Sequence, residues 1–98
     1  MSCDDKPRKD YINKKLMVQI LLDLHISEEV ISELPYEKDT LKTLFAIKEQ
    51  EIFKNYKVTE ELYRSSYSHY FFNPEELDDI YRVVIDSLSL YQQTRRND

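Results

Sequence analysis

The chain contains no glycine in its 98 residues, and this absence excludes most sheet architectures. Tight hairpin turns need residues at positive φ, for which glycine is the usual choice. Apolar residues make up 41% of the sequence and charged residues 34%, which is typical of a globular chain rather than a disordered one. We therefore expect a single globular domain built from helices.

Long apolar runs, excess positive charge and paired cysteines are also missing. The longest apolar stretch, "LMVQILLDL" at 16–24, is much shorter than the ~18 residues of a membrane span. A net charge of −5 argues against a nucleic-acid partner, because phosphate backbones are bound by clustered Lys and Arg. The only cysteine is Cys3, so the chain forms no internal disulfide and no cysteine-based zinc site. No cofactor is expected.

The chain divides into a tether at 1–12 and a helical domain at 13–94. The first segment, "MSCDDKPRKDYI", mixes charges with a proline and has no helical period, which is typical of a flexible tether. Asn13 then provides an N-cap, and Met17 is placed to pack back onto Ile12 as a hydrophobic staple. The domain therefore begins with a helix.

Four segments of the domain carry apolar residues at the period of an α-helix, with capping signals between them. Thr59 is the cap of the third segment, where an acidic first turn suits the positive end of the helix dipole. Short connections between the segments predict an all-α, four-helix up-and-down bundle. The predicted helices span about 13–34, 37–55, 60–71 and 74–93.

The stretch "SSYSHYFFNPEEL" at 65–77 contains the junction between the last two helices. Asn73 is a favourable N-cap, the proline after it occupies the first helical position, and Glu76 completes a capping box. Phe72 is placed to staple onto Leu77. The end of one helix therefore meets the start of the next here.

These residues also carry a family resemblance. "VTEELYRSSYSHYFFNPEELDDIYRVVIDSL" at 58–88 resembles the C-terminal half of the domain-of-unknown-function 4296 family, small lipoproteins of Bacteroidota. "INKKLMVQILLDLHISEE" at 12–29 is similar to the family's opening helix. The resemblance implies a helical fold and a cell-envelope location, but no established reaction. Where the family often has a glycine to end the second helix, this chain has Lys57, so Asn55, Tyr56 or Lys57 must accommodate a left-handed turn.

The resemblance also implies an anchor at Cys3. In that family a cysteine near the mature N-terminus accepts a lipid, and "SCDDKP" at 2–7 looks similar. The implied location is the outer membrane, on either its periplasmic or its surface face. An incidental cysteine is the alternative. Lys14 and Lys15 are candidates for a membrane-proximal basic surface, because anionic headgroups would offset their unfavourable interaction with the helix dipole. The alternative is a solvated basic face.

Two clusters of reactive residues do not predict an enzyme. The serines before His69 lie within a helix, without the glycine elbow or oxyanion loop of a serine hydrolase. His25 has Glu28 and Glu29 at metal-ligand spacing, with His69 as a second imidazole, but such a histidine is more often solvated. We therefore expect no catalysis and no metal.

The aromatic residues of the third helix predict a division between core and surface. Tyr70, seven residues before Leu77, should face the core. Tyr67, Phe71 and Phe72 are candidates for an exposed partner-binding patch, although core packing of all these rings is the alternative. The chain is thus predicted to be a non-catalytic envelope lipoprotein domain that binds another envelope protein. The alternatives are an untethered adaptor that binds a partner helix in a groove, and a metal- or small-ligand-binding bundle.

Overall fold

A computed structural model describes residues 11–97, and every regular element in that range is a helix. Helix α1 spans Lys14–Ser32, α2 spans Lys38–Asn55, α3 spans Glu60–Phe71 and α4 spans Pro74–Asn97. The prediction of an all-α, four-helix bundle with short connections is confirmed. Most of the predicted tether lies outside the described residues. None of the four helices is long and apolar enough to cross a membrane.

Two of the helices begin at the predicted side-chain caps. Asn13 and Thr59 each accept a hydrogen bond from the backbone N–H three residues later, at 2.8 and 3.0 Å. Ile12 and Met17 are both buried in the core, as the predicted staple requires. Helix α2 follows Glu37, whose side chain makes no capping hydrogen bond. Local sequence signals therefore place the starts of α1 and α3.

Helix α2 ends in the predicted left-handed turn. Lys57 has φ of 59°, and it is the only residue of the described chain with positive φ. The N–H of Val58 donates to the carbonyl of Phe53 at 3.0 Å, and that of Lys57 donates to the carbonyl of Lys54 at 3.0 Å. These two bonds form a Schellman motif, and Val58 and Phe53 both pack in the core cluster.

The junction between α3 and α4 differs in detail from the prediction. The side-chain amide of Asn73 donates to the carbonyl of His69 at 2.6 Å, so it bonds to the end of α3 rather than to the start of α4. Phe72 is 75% exposed, so the predicted staple onto Leu77 leaves most of its ring uncovered. The turn residues are those predicted, but their side chains do not close over the junction.

Helix α4 is longer than predicted. It was expected to end before the polar "TRRND" at 94–98, yet it continues to Asn97. The guanidinium of Arg95 lies 3.8 Å from the carboxylate of Glu29 on α1 and 3.7 Å from that of Glu33, the C-cap residue of α1. These ion pairs connect the polar end of α4 to its neighbour, and the prediction of its end was wrong by about one turn.

Helices α1 and α4 lie side by side and run parallel. Lys14 and Asp79 pair at 3.3 Å near one end, and Glu29 and Arg95 pair near the other. The start of α2 lies beside the end of α1, and the start of α4 lies beside the end of α3. Direction therefore reverses at the first and third connections, whereas α2 and α3 run in the same direction. The up-and-down order predicted for the four helices is thus wrong at the second connection.

The core includes a residue that the prediction assigned to the tether. Ile12 donates its N–H to Ser66 Oγ at 2.8 Å, and its carbonyl accepts from the Tyr70 hydroxyl at 2.6 Å. Tyr11, just before it, stacks on His69 with ring centroids 3.9 Å apart. The packed domain thus includes both residues before Asn13. The buried apolar residues are Ile12, Met17, Ile20, Leu21, Leu24, Ile52, Phe53, Tyr70, Ile80 and Val84.

Candidate protein-binding surface

Helix α3 presents three aromatic side chains at four-residue spacing. Tyr63, Tyr67 and Phe71 lie on one face of the helix, because residues four apart are neighbours on a helical surface. Together with Arg64 and Ser68 they line an open groove of about 300 Å³, which we call the aromatic groove. Its lining combines apolar rings with three hydroxyl groups and one cation.

Tyr63 and Tyr67 form the floor of the aromatic groove, and both are held in place by contacts with neighbouring helices. The Tyr63 ring lies 4.9 Å from the Phe53 ring and 6.2 Å from the Tyr67 ring, measured between centroids. The hydroxyls of Tyr67 and Tyr81 lie 2.9 Å apart and share a hydrogen bond that either can donate. Both floor tyrosines are therefore half-buried and fixed against α2 and α4.

Tyr63 on the groove floor is uncharged at neutral pH. Burial raises the pKa of Tyr63 to about 12, and the negative charge of Glu49 acts in the same direction. Burial also raises the pKa of Tyr81, and its hydrogen bond with Tyr67 adds to that effect. The groove thus offers apolar surface and hydrogen-bonding hydroxyls.

Acidic and basic side chains flank the groove on its α2 side. The guanidinium of Arg64 pairs with the carboxylate of Glu60 at 2.7 Å, and Glu60 also accepts from Gln50 at 2.9 Å. These bonds, with that of Arg64 foremost, hold the pKa of Glu60 below its ordinary value. Burial raises the pKa of Glu49, and the charge of Glu60 adds to the rise. An apolar groove with an ionic border resembles the core and rim of a protein interface.

Two exposed phenylalanines lie at the end of the groove. Phe71 is 59% exposed and Phe72 is 75% exposed, and their rings meet edge to face with centroids 5.4 Å apart. Tyr70, between His69 and Phe71, is only 4% exposed, as its spacing predicted. We call the exposed pair the Phe71–Phe72 corner. Of the three predicted partner-binding residues, Tyr67 belongs to the groove floor, and the other two form this corner.

The predicted basic residues lie away from the aromatic groove. Lys14 and Lys15 are exposed in the first turn of α1, and Lys14 is paired with Asp79 at 3.3 Å. Cys3 lies outside the described residues. The structure therefore places the basic pair beside the point where the chain enters the domain, and not beside the Phe71–Phe72 corner.

The histidines and the serine that were considered as reactive residues pack against or bond to other parts of the fold. His25 lies edge-on to the Tyr81 ring at 6.4 Å, and His69 stacks on Tyr11. Across the described residues, no three His, Cys, Asp or Glu side chains are grouped to hold a metal ion. Ser66 is buried, and its hydroxyl accepts the Ile12 N–H. None of these side chains converges on the aromatic groove.

Tyr63 is the groove residue that sequence reasoning missed. The seven-residue spacing of Tyr63 and Tyr70 predicts that both face the buried side of α3, and Tyr63 does pack against the core. Its spacing from Tyr67 and Phe71 would have revealed the shared face, because the three residues follow one another at four-residue intervals. The contact of Tyr63 with Phe53 of α2 has no such local signal.

Comparison with known proteins gives a family and nothing more specific. The model of the DUF4296 family, described as a domain of unknown function, matches residues 8–94. No curated protein and no solved structure matches the chain. Any assignment of activity therefore depends on the surface of the molecule itself.

Proposed function

The chain belongs to the DUF4296 family, a domain of unknown function, and we propose that its helical domain is a non-catalytic module that binds another protein of the cell envelope. The observation that carries this proposal is the aromatic groove with the Phe71–Phe72 corner at its end. Neighbouring exposed rings beside a fixed apolar groove are the arrangement expected of interface anchors.

The energetics favour a partner that covers the corner. Removing a phenylalanine side chain from water contributes about 1.5–3 kcal/mol, and both rings of the corner are mostly exposed. The floor tyrosines are already ordered, so a partner would lose little free energy in immobilising them. The free energy available to binding is therefore concentrated at Phe71 and Phe72.

The shape of the aromatic groove favours a helical segment as the bound element. From Tyr63 to Phe71 the groove follows nine residues of α3, and the eight steps between them span about 12 Å along the helix axis. Two turns of a partner helix have nearly that length and present apolar side chains at the same spacing. We therefore propose an amphipathic helix of the partner as the segment that occupies the groove.

We further propose that a lipid on Cys3 anchors the domain to the outer membrane. The support is the resemblance of "SCDDKP" to the family's lipidation segment and the position of Lys14 and Lys15 where the chain enters the domain. In the native host, the precursor is expected to incorporate a fatty-acid analogue and to partition into detergent. Cys3→Ser should abolish both, and labelling that persists in this variant would contradict the anchor.

Photo-cross-linking in the native host tests where the partner binds. A photoreactive phenylalanine at position 72 is expected to give one discrete adduct with an envelope protein. Position 47 is the control, because Ile47 is a similarly exposed apolar residue, at 62%, on α2. Equal adducts from both positions would indicate non-specific contact and contradict the proposed site.

A further inference from the structure

A second groove lies between the N-terminal halves of α1 and α4. Its volume is about 380 Å³, and apolar surface dominates its walls. We call it the α1–α4 groove. It shares no residue with the aromatic groove. Its lining residues are Lys14, Lys15, Val18, Gln19, Asp79, Ile80 and Val83.

The ionic side chains that line the α1–α4 groove carry two positive charges and one negative charge. The Lys14 ammonium lies 3.3 Å from the Asp79 carboxylate, so those two charges offset each other. Lys15 forms no ion pair with another residue in the range 11–95. Within that range, the border of this apolar groove therefore has one ammonium that no carboxylate offsets.

We propose that the α1–α4 groove binds a single-chain, monoanionic amphiphile of the fatty-acid class. The alkyl chain would lie against Val18, Ile80 and Val83, and the carboxylate would pair with Lys15. A groove of about 380 Å³ is at the small end of ligand sites, which suits one alkyl chain rather than two. The single excess charge matches a carboxylate better than a dianionic phosphate, whose second negative charge no remaining cation of the groove would offset.

A peptide fits the α1–α4 groove less well. The backbone of a bound peptide would need hydrogen-bonding partners for its N–H and C=O groups. Gln19 is the only neutral polar side chain among the lining residues. An alkyl chain has no such polar groups and can lie along the apolar lining of the groove.

Titration of the full chain with decanoate below its micelle concentration tests the proposal. Amide resonances of Val18, Gln19, Ile80 and Val83 are expected to shift, with decanol as the uncharged comparison. Decanoate should bind about fivefold more tightly than decanol, because a surface ion pair contributes modestly. In Lys15→Gln this preference should disappear. Equal binding of the two ligands by the unmodified chain would overturn the role of Lys15.

Two substitutions on α4 distinguish binding in the α1–α4 groove from binding to any exposed apolar residue. Val83 is 49% exposed and lines the groove, whereas Ile85 is 57% exposed and does not. Val83→Glu should weaken decanoate binding by about tenfold or more, since it puts a carboxylate against the alkyl chain. Ile85→Glu should leave the affinity unchanged. Equal affinities of these two variants would overturn the proposal.

A titration with phospholipid vesicles and a substitution in the aromatic groove complete the test. Shifts of the same amides with anionic phospholipid vesicles, but not with decanoate, would reject a free amphiphile in favour of a membrane contact. Phe71→Ala should bind decanoate as the unmodified chain does, because Phe71 belongs to the aromatic groove. Loss of binding in Phe71→Ala would overturn the assignment. A failure with decanoate would leave the cross-linking test of the partner site unaffected.

Discussion

Lys57 has φ of 59°. This backbone conformation costs free energy in any residue with a β-carbon and very little in glycine. We expect Lys57→Gly to raise the free energy of unfolding by about 0.5–1 kcal/mol, measured by chemical denaturation. The gain is limited because glycine also makes the unfolded chain more flexible. Lys57→Ala is the matched control. It keeps the β-carbon, so an equal gain in both variants would show that backbone strain is not the cause.

Ser66 connects α3 to the chain before α1 through a single hydrogen bond to the buried N–H of Ile12. Ser66→Ala should lower the free energy of unfolding by about 1–3 kcal/mol, because it leaves that N–H without a partner. Ser65→Ala is the control, since Ser65 is exposed and its hydroxyl only bonds to the carbonyl of Glu61. Similar denaturation midpoints for the two variants would contradict this account of the connection.

These residues show which features the sequence could predict. The caps at Asn13 and Thr59 depend on neighbours within one turn, so local pattern is sufficient to place them. The bonds of Ile12 with Ser66 and Tyr70 join residues 54 and 58 positions apart, and no periodicity signals them. For that reason Ile12 was assigned to the tether although it belongs to the core.

At the scale of the helix, the ion pairs of Arg95 connect the last turn of α4 to the end of α1. Arg95→Ala removes the ion pairs with Glu29 and Glu33 and should speed amide hydrogen exchange in that turn. The free energy of global unfolding should fall by no more than about 1 kcal/mol, because these pairs are exposed. Arg82→Ala is the control, since Arg82 pairs within α4 with Asp78. Unchanged exchange in Arg95→Ala would contradict this role.

The directions of the helices are a second feature that local sequence pattern did not predict correctly. Spacing of apolar residues predicts each helix, and the short connections predict a reversal of direction at each of them. That second prediction fails between α2 and α3, because α1 and α4 are parallel. Helix α3 continues in the direction of α2. The Schellman motif at Lys57 lies between the two helices, and the Phe53 ring contacts the Tyr63 ring. As a result α1 and α4 are parallel neighbours, and the α1–α4 groove forms between them.

At the scale of the whole molecule, the tyrosines predict a loss of stability at high pH. The hydrogen bond to Asp23, followed by burial and the charge of that carboxylate, raises the pKa of Tyr56 to about 12. Burial raises the pKa of Tyr63 to about 12 as well. Below pH 10, the ordinary tyrosine pKa, both phenols are protonated in the folded and the unfolded chain, so their contribution is fully present.

As pH rises from 10 towards 12, the unfolded chain loses these phenolic protons while the folded chain retains them, so the free energy of unfolding should fall. Denaturation at a series of pH values, with tyrosinate absorbance recorded in parallel, measures this fall. Tyr56→Phe should show a shallower decline than the unmodified chain. A decline equally steep in Tyr56→Phe would mean that other groups cause it.

The central claim is that folding and partner binding use different rings of the same helix. Tyr70→Ala should lower the free energy of unfolding by about 3 kcal/mol or more, because it truncates a buried ring. Phe71→Ala should cost less than about 1 kcal/mol, because its ring is mostly exposed.

The most direct test is the yield of the cross-linked adduct from position 72 in Phe71→Ala, scaled to the amount of folded domain. We predict a large loss of adduct while the domain remains folded, because Phe71 is an anchor of the partner and not of the core. An adduct yield equal to that of the unmodified chain, or unfolding as severe as that of Tyr70→Ala, would contradict the account.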